Sequence, residues 1–199
     1  MLKTYELMER HFGWDRMPKP ASAAETSAYL LDRALRAQGI VSLDSTCYQD
    51  APRKPTIRKL IEAWVRRGEL IPVALDGAGK QEHWARPDTI EGETPTPSMV
   101  HILSPFDPLI IQRKRTHLFF DYEHRFEAYV PKEKRKRGYF ALPVVVDNDI
   151  VAAVDLKTDR KKQKLLMQQW TWIGRGPRKT LKRRIEEELH RFERFQLGA

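Results

Sequence analysis

The chain has 199 residues, of which 41% are apolar and 32% are charged, so it can form a packed core in one large domain or two small ones. Its single cysteine, Cys47, excludes a disulfide framework and a cysteine-rich zinc site. The sequence contains no apolar stretch approaching the roughly 18–20 residues of a spanning helix and begins unlike a signal peptide, so we expect a cytoplasmic protein with no membrane partner.

The first part of the chain predicts three helices after an N-terminal segment. Residues 1–21 are expected to form a short helix and a linker, because prolines interrupt any longer element there. Apolar residues then recur at helical spacing over residues 25–38. Capping side chains predict a short second helix near residues 44–49, and Pro55 suits the first turn of a third helix that ends at Gly68.

The hydrophobic period changes after the third helix. Residues 69–75 and 81–85 predict two strands joined by a tight turn that contains two glycines. Three helices followed by a hairpin are typical of a winged helix-turn-helix domain, which we assign to residues 22–90. The stretch 86–98, with its prolines, is predicted to be a linker, so the next domain is expected to span residues 99–199.

The second domain is predicted to be a small antiparallel β-barrel or curled sheet with a C-terminal helix. Alternating apolar side chains predict a strand over residues 124–130, and runs of β-forming residues predict strands over 139–146, 150–156 and 165–172. An amphipathic helix is expected over residues 178–196. The predicted fold class is therefore α+β.

The charge is unevenly distributed along the chain. Residues 1–99 contain 14 basic and 14 acidic side chains, whereas residues 100–199 contain 22 basic and 13 acidic ones, so the whole net charge of +9 lies in the second half. This concentration favours duplex DNA as the partner, because a basic surface follows a phosphate backbone. A solvated surface that serves only solubility is the alternative interpretation.

Two groups of basic residues are candidate DNA contacts. The third helix of a winged helix-turn-helix domain enters the major groove, although basic residues on a helix can also form a solvated face. In the second half, Arg and Lys cluster mostly at predicted turns and strand ends, where they can line one rim of a sheet. The candidates are Arg53, Lys54, Arg58, Lys59, Arg113, Lys114, Arg115, Lys134, Arg135, Lys136, Arg137, Arg160, Lys161 and Lys162. A further basic cluster occupies residues 178–184 of the final helix.

The sequence shows no pattern of metal or catalytic chemistry. Two of the six histidines, His117 and His124, do not have the spacing of three or four residues that places two ligands on one helix face. No phosphate-binding glycine loop or nucleophile elbow is present. We therefore assign no catalytic residue, no metal and no cofactor. Trp170 and Trp172 share one strand face, where they could stack on bases but more simply pack in the core.

A series of motifs follows in fixed order between residues 103 and 160. They are Leu103–Leu109 (LSPFDPL), Arg113–Arg115, Phe119–Tyr122, Glu127–Pro131, Lys134–Tyr139, Leu142–Val144 and Val154–Lys157. In this order they resemble the YcaQ/AlkZ-like family of winged-helix bacterial DNA glycosylases, and the opening residues Lys3–Leu7 fit the same family. The resemblance implies DNA binding and a role in DNA repair, because members excise alkylated bases and unhook interstrand crosslinks.

The chain departs from the family at the catalytic signature. Members are longer and carry Gln-x-Gln or Gln-x-Asp in their N-terminal half, but neither pattern occurs among these 199 residues. Gln49-Asp50 and Gln168-Gln169 are adjacent rather than spaced. The chain thus resembles the C-terminal half of such a glycosylase. It would hydrolyse an N-glycosidic bond only if joined to the missing half or combined with a separate chain that supplies it.

The resemblance leads us to expect a cytoplasmic protein associated with the nucleoid. Two other functions remain open from the sequence. A winged-helix transcriptional regulator without enzymatic activity would prefer one DNA sequence by a factor of roughly 10³ or more over bulk DNA. An RNA-binding protein would prefer single-stranded or structured RNA to duplex DNA.

Overall fold

The computed structural model describes residues 3–92 and 98–198. The chain divides into two compact units, of which the first runs to Pro72 and includes Trp84–Arg86, and the second contains Val73–His83 and the chain from Pro87 onward. Helices combine with two β-sheets, so the predicted α+β class is confirmed. None of the helices in the described ranges is long and apolar enough to cross a membrane.

The first unit contains the predicted helices, and the hairpin that follows them is divided between the two units, since Val73–His83 belongs to the second. The elements are α1 (Met8–Phe12), α2 (Ala23–Gln38), α3 (Leu43–Thr46), α4 (Lys54–Arg66), β1 (Ile71–Val73) and β2 (His83–Ala85). α2 begins with a capping box, in which the Ser22 hydroxyl accepts the Glu25 N–H at 3.2 Å and the Glu25 carboxylate accepts the Ser22 N–H at 2.7 Å. The first unit is held by an apolar core in which Leu31, Ile57 and Ile61 are fully buried.

The second unit is built on a four-stranded antiparallel sheet with the strand order β3-β4-β5-β6. Its elements are α5 (Pro87–Glu91), β3 (Val100–Ile102), α6 (Pro108–Ile111), α7 (Arg113–Phe120), β4 (Ala141–Val146), β5 (Asp149–Asp159), β6 (Lys164–Trp172) and α8 (Arg178–Leu197). Ile185 of α8 is fully buried against Val144 and Val154 of the sheet, and Leu181, Leu189 and Phe192 pack around the same core. The predicted C-terminal helix is therefore confirmed.

Two polar contacts hold α8 on the sheet. The guanidinium of Arg184 binds both carboxylate oxygens of Asp147, which lies in the β4–β5 turn, at 2.7 and 2.8 Å. Near the other end of the helix, the carboxylate of Glu193 accepts the backbone N–H of Leu165 at 2.7 Å. Leu165 belongs to β6, the last strand of the sheet, so this side chain occupies one backbone donor on the sheet edge.

The prediction of a strand over residues 124–130 was wrong. That segment forms no strand, and the sheet instead gains β3, whose Val100 and Ile102 pair with Val146 and Val144. Phe126 of this segment instead packs in an aromatic cluster, with its ring centre 5.3 Å from that of Phe106 and 5.5 Å from that of Phe140. Over the described ranges the four strands form an open sheet, so the barrel alternative of the prediction is not observed.

Part of the predicted linker over residues 86–98 has regular secondary structure. Pro87–Glu91, at its beginning, forms the helix α5. Residues 93–97 of the same predicted linker lie outside the described residues.

Candidate nucleic-acid interface

A loop over residues 127–140 precedes β4, carries five Lys and Arg side chains and is called the basic loop below. It contains a single 3₁₀ turn, Lys132–Lys134, that follows Pro131. Lys132, Lys134 and Lys136 expose their side chains to solvent. The loop thus presents several cations over a short length of chain.

Buried Glu127 fixes the backbone of the basic loop from within. Its carboxylate accepts the N–H groups of Lys136 at 2.9 and 3.1 Å and of Arg137 at 2.7 Å, and the residue is only 5% exposed. Burial alone would raise the pKa of Glu127, but hydrogen bonds from the backbone N–H groups of Arg137, Lys136 and Gly138 outweigh it and lower the pKa. The folded loop therefore stabilises the ionised form of the Glu127 carboxylate.

A second buried carboxylate holds the end of the basic loop. Asp155 of β5 is 7% exposed and accepts the backbone N–H groups of Tyr139 at 2.6 Å and Phe140 at 3.3 Å. Gln169 of β6 donates its side-chain N–H to the carbonyl of Lys136 at 2.8 Å. Strands β5 and β6 thereby define the position of this loop, which carries no regular element other than its 3₁₀ turn.

The two arginines of the basic loop differ from its lysines because they contact the protein. The Arg135 guanidinium donates to the Val130 carbonyl at 2.8 Å and lies 4.9 Å from the centre of the Tyr139 ring. Arg137 donates to the Glu123 carbonyl and lies 4.7 Å from the centre of the Tyr122 ring. Both arginines therefore shape the loop, and the lysines supply its exposed charge.

The basic cluster at the start of α7 converges with the basic loop. Arg113 and Lys114 are exposed, whereas Arg115 lies 4.6 Å from the Phe119 ring centre and burial lowers its pKa. Arg113 and Arg137 both act electrostatically on the same imidazole, that of His124. The charges of two clusters separated in sequence thus both affect the pKa of one residue.

His124 is buried beneath these cations. It is 3% exposed, and its Nδ1 atom lies 3.4 Å from the hydroxyl oxygen of Tyr122. Burial first, and then the charges of Arg113 and Arg137, lower the pKa of His124 to about 4. The imidazole is therefore neutral near pH 7 and adds no charge of its own to the interface.

Titration of His124 should make stability depend on pH. The folded protein disfavours the protonated imidazole, so we expect the free energy of unfolding to fall as the pH decreases from about 6.5 towards 4. The loss should reach roughly 3 kcal/mol and stop growing below the folded-state pKa. Urea unfolding across this range measures it. His124→Gln should flatten the dependence, whereas His101→Gln, at an exposed site, should not.

The turn between β5 and β6 carries a third basic cluster. Arg160, Lys161 and Lys162 are exposed, and the Asp159 carboxylate accepts the backbone N–H groups of Lys161 and Lys162, each at 3.1 Å. As in the basic loop, an acidic side chain orders the backbone while the cations point into solvent.

Three cations of the basic cluster on α8 pair with acidic side chains. Besides Arg184, Lys182 lies 3.6 Å from the carboxylate of Glu186, and Arg183 lies 3.5 Å from that of Glu187. Their charges are partly balanced on the same helix, so these residues are poorer candidates for phosphate binding.

The four candidate DNA contacts of the first unit form two pairs. Arg53 forms an ion pair with Asp50 at 2.6 Å, and Lys54 forms one with Asp44 at 2.5 Å. Arg58 and Lys59 are exposed on α4. The first pair thus has acidic partners around the start of the helix.

The exposure of aromatic rings in and near the basic loop was missed by sequence reasoning. Tyr139 is 54% exposed, and Phe106 and Tyr129 are also exposed. The sequence analysis considered Trp170 and Trp172 as rings that could stack on bases, but both are partly buried against the core of the second unit. The available signal was the combination of aromatic residues with Lys and Arg inside one non-periodic segment.

The described residues contain no group of three or more His, Cys, Asp or Glu side chains that could hold a metal ion.

A protein-family model described as DNA glycosylase AlkZ-like matches residues 1–195. No solved structure matches the chain. The family match agrees with the resemblance carried by the motifs between residues 103 and 160.

Proposed function

Because the chain belongs to the AlkZ-like DNA glycosylase family, we propose that it is a DNA-binding protein of DNA repair whose basic loop holds the backbone of duplex DNA. One observation supports this most: Lys132, Lys134 and Lys136 are exposed on a loop whose backbone is fixed by the buried carboxylates of Glu127 and Asp155.

A loop ordered in this way suits phosphate binding. The carboxylates use the backbone N–H groups, so the lysine side chains remain to meet a ligand, and the loop does not have to become ordered on binding. Lysine contacts with phosphate are independent of base sequence and release counterions. We propose that Arg113 and Lys114 extend this surface from α7, and that Arg160, Lys161 and Lys162 add to it at the β5–β6 turn.

We also propose that the helices of the first unit and the hairpin form a winged helix-turn-helix domain. In that arrangement α4 is the recognition helix, and Arg58 and Lys59 on its exposed side are its candidate DNA contacts. Arg53 and Lys54 then act mainly through their ion pairs with Asp50 and Asp44.

Base excision by members of this family requires a catalytic segment in addition to the DNA-binding residues described above. The family resemblance implies water-dependent hydrolysis of an N-glycosidic bond without a cofactor, carried out by a Gln-x-Gln or Gln-x-Asp segment that does not occur among these 199 residues. We propose that this chain provides the DNA-binding part of that activity. A longer form, or a separate chain, would supply the catalytic segment.

The affinity for random-sequence duplex DNA, measured as salt is raised, tests the proposal. We expect log K to fall steeply with log salt concentration. Replacing Lys132, Lys134 and Lys136 by alanine should reduce the slope by about 2–3, since each phosphate contact contributes about 0.9. The matched control replaces Lys182, Arg183 and Arg191, three α8 cations that each pair with a glutamate of the same helix.

Two results would contradict the proposal. An equal loss of slope in the control variant would mean that net charge alone attracts DNA. A preference of roughly 10³-fold for one sequence would instead favour a transcriptional regulator acting through α4.

A further inference from the structure

A groove of about 660 Å³ opens beside the basic loop and is also lined by β5 and β6. Its volume lies in the range of small-molecule sites and is too small for a double helix. The groove is lined by cations, an exposed aromatic ring and side-chain amides. These residues are Lys132, Arg135, Tyr139, Lys157, Gln168 and Gln169.

Tyr139 offers this groove an aromatic surface in a defined position. Its ring is 54% exposed, and its backbone N–H is bound by Asp155 at 2.6 Å. The Arg135 guanidinium lies 4.9 Å from the ring centre, so a planar group stacked on the opposite face would complete a sandwich. Every nucleobase has such a planar face, and exposed aromatic rings beside cations are the usual platform for unpaired strands.

The remaining lining residues match the other parts of a nucleotide. Lys132 and Lys157 are exposed and can meet a phosphate group, and Gln168 carries both a donor and an acceptor for a base edge. The carboxylate of Asp155 also lines the groove, but it is buried and bound by two backbone N–H groups. These two donors therefore offset part of its charge.

We propose that this groove binds one unpaired nucleotide of DNA, with its base stacked on Tyr139 and its phosphate held by Lys132 and Lys157. The inference rests on the proposed function, because it assumes that the second unit contacts DNA. A paired base inside a duplex has both faces covered by its neighbours, so it cannot stack on the ring. The groove should therefore direct the protein to gaps and displaced strands.

Two DNA probes of equal length test this inference, an intact duplex and the same duplex with a one-strand gap of several nucleotides. We expect the gapped probe to bind about tenfold more tightly, the range that stacking of a single base provides. Tyr139→Ala should abolish the difference, and Tyr139→Phe should retain it. The control is Tyr29→Ala, which removes an exposed ring that also lies beside an arginine, Arg33, at 5.9 Å, and should change nothing.

The possible results separate this inference from the proposed function. An unchanged preference for the gap in Tyr139→Ala, or no preference in the unaltered protein, would overturn the inference, while salt-dependent binding of the intact duplex would still support the proposed function. If the unaltered protein does not bind the intact duplex but binds the gapped probe in a Tyr139-dependent way, only the proposal of duplex binding would be overturned. Tighter Tyr139-dependent binding of an RNA strand of the same sequence would overturn the assignment to DNA.

Discussion

Gly138→Ala is expected to destabilise the second unit by about 3–5 kcal/mol, because steric overlap and backbone strain act together. Gly138 has φ +116°, a conformation that residues with a side chain rarely adopt. A Cβ atom there would lie 2.4–2.7 Å from the side-chain atoms of Asp155. That carboxylate cannot move away without releasing the N–H groups of Tyr139 and Phe140.

Urea unfolding of both variants separates the two causes. Gly174→Ala is the matched control, because Gly174 also has a positive φ, +67°, but an added Cβ would meet nothing within 4 Å. It should cost only about 1–2 kcal/mol, the strain of the left-handed conformation alone. Equal losses in the two variants would contradict the role assigned to the close approach of Asp155.

Glu127→Ala should cost about 2–4 kcal/mol, since it leaves the partly buried N–H groups of Lys136 and Arg137 without their acceptor. It should weaken DNA binding as well, because the lysines would no longer be held together. Glu123→Ala is the control: that carboxylate is exposed, pairs with Arg125 at 3.2 Å, and should change stability by less than about 1 kcal/mol.

The pH dependence of Glu127 follows from its lowered pKa. The folded protein favours the carboxylate, so its contribution to stability is present above about pH 4.5 and is lost as the pH falls through the folded-state pKa. Glu127→Gln should lose this part of the acid dependence when unfolding is followed below pH 5. An unchanged acid profile would show that the carboxylate charge does not stabilise the loop.

Elements with a local signal were predictable from the sequence. α2, α4 and α8 have apolar residues at helical spacing together with recognisable ends, such as Ser22 and Gly39 around α2. β5 and β6 were expected because a charged turn over residues 159–162 separates two β-forming runs. β3 was missed because three residues carry no period, and its pairing with β4 joins segments more than 40 residues apart.

The candidate site was predictable only as a list of charges. The sequence identified the basic clusters, but it did not show that Lys54 pairs with Asp44 or that Arg184 pairs with Asp147, 37 residues away. The structural importance of Glu127 was also missed, since a buried acid within an apparent strand pattern has no distinct sequence signal. Tyr139 was recognisable as part of a family motif, but its exposure depends on the fold.

The contact of Glu193 with the last strand bears on how the protein behaves at high concentration. An open sheet offers the backbone groups of its outer strands to any other extended chain, and such edges promote aggregation. The carboxylate of Glu193 occupies the N–H of Leu165, and Lys164 is exposed at the start of β6. Another molecule adding to this strand would have to displace the hydrogen bond to the carboxylate and bury a charge. The C-terminal helix thus helps to keep neighbouring molecules from joining their sheets.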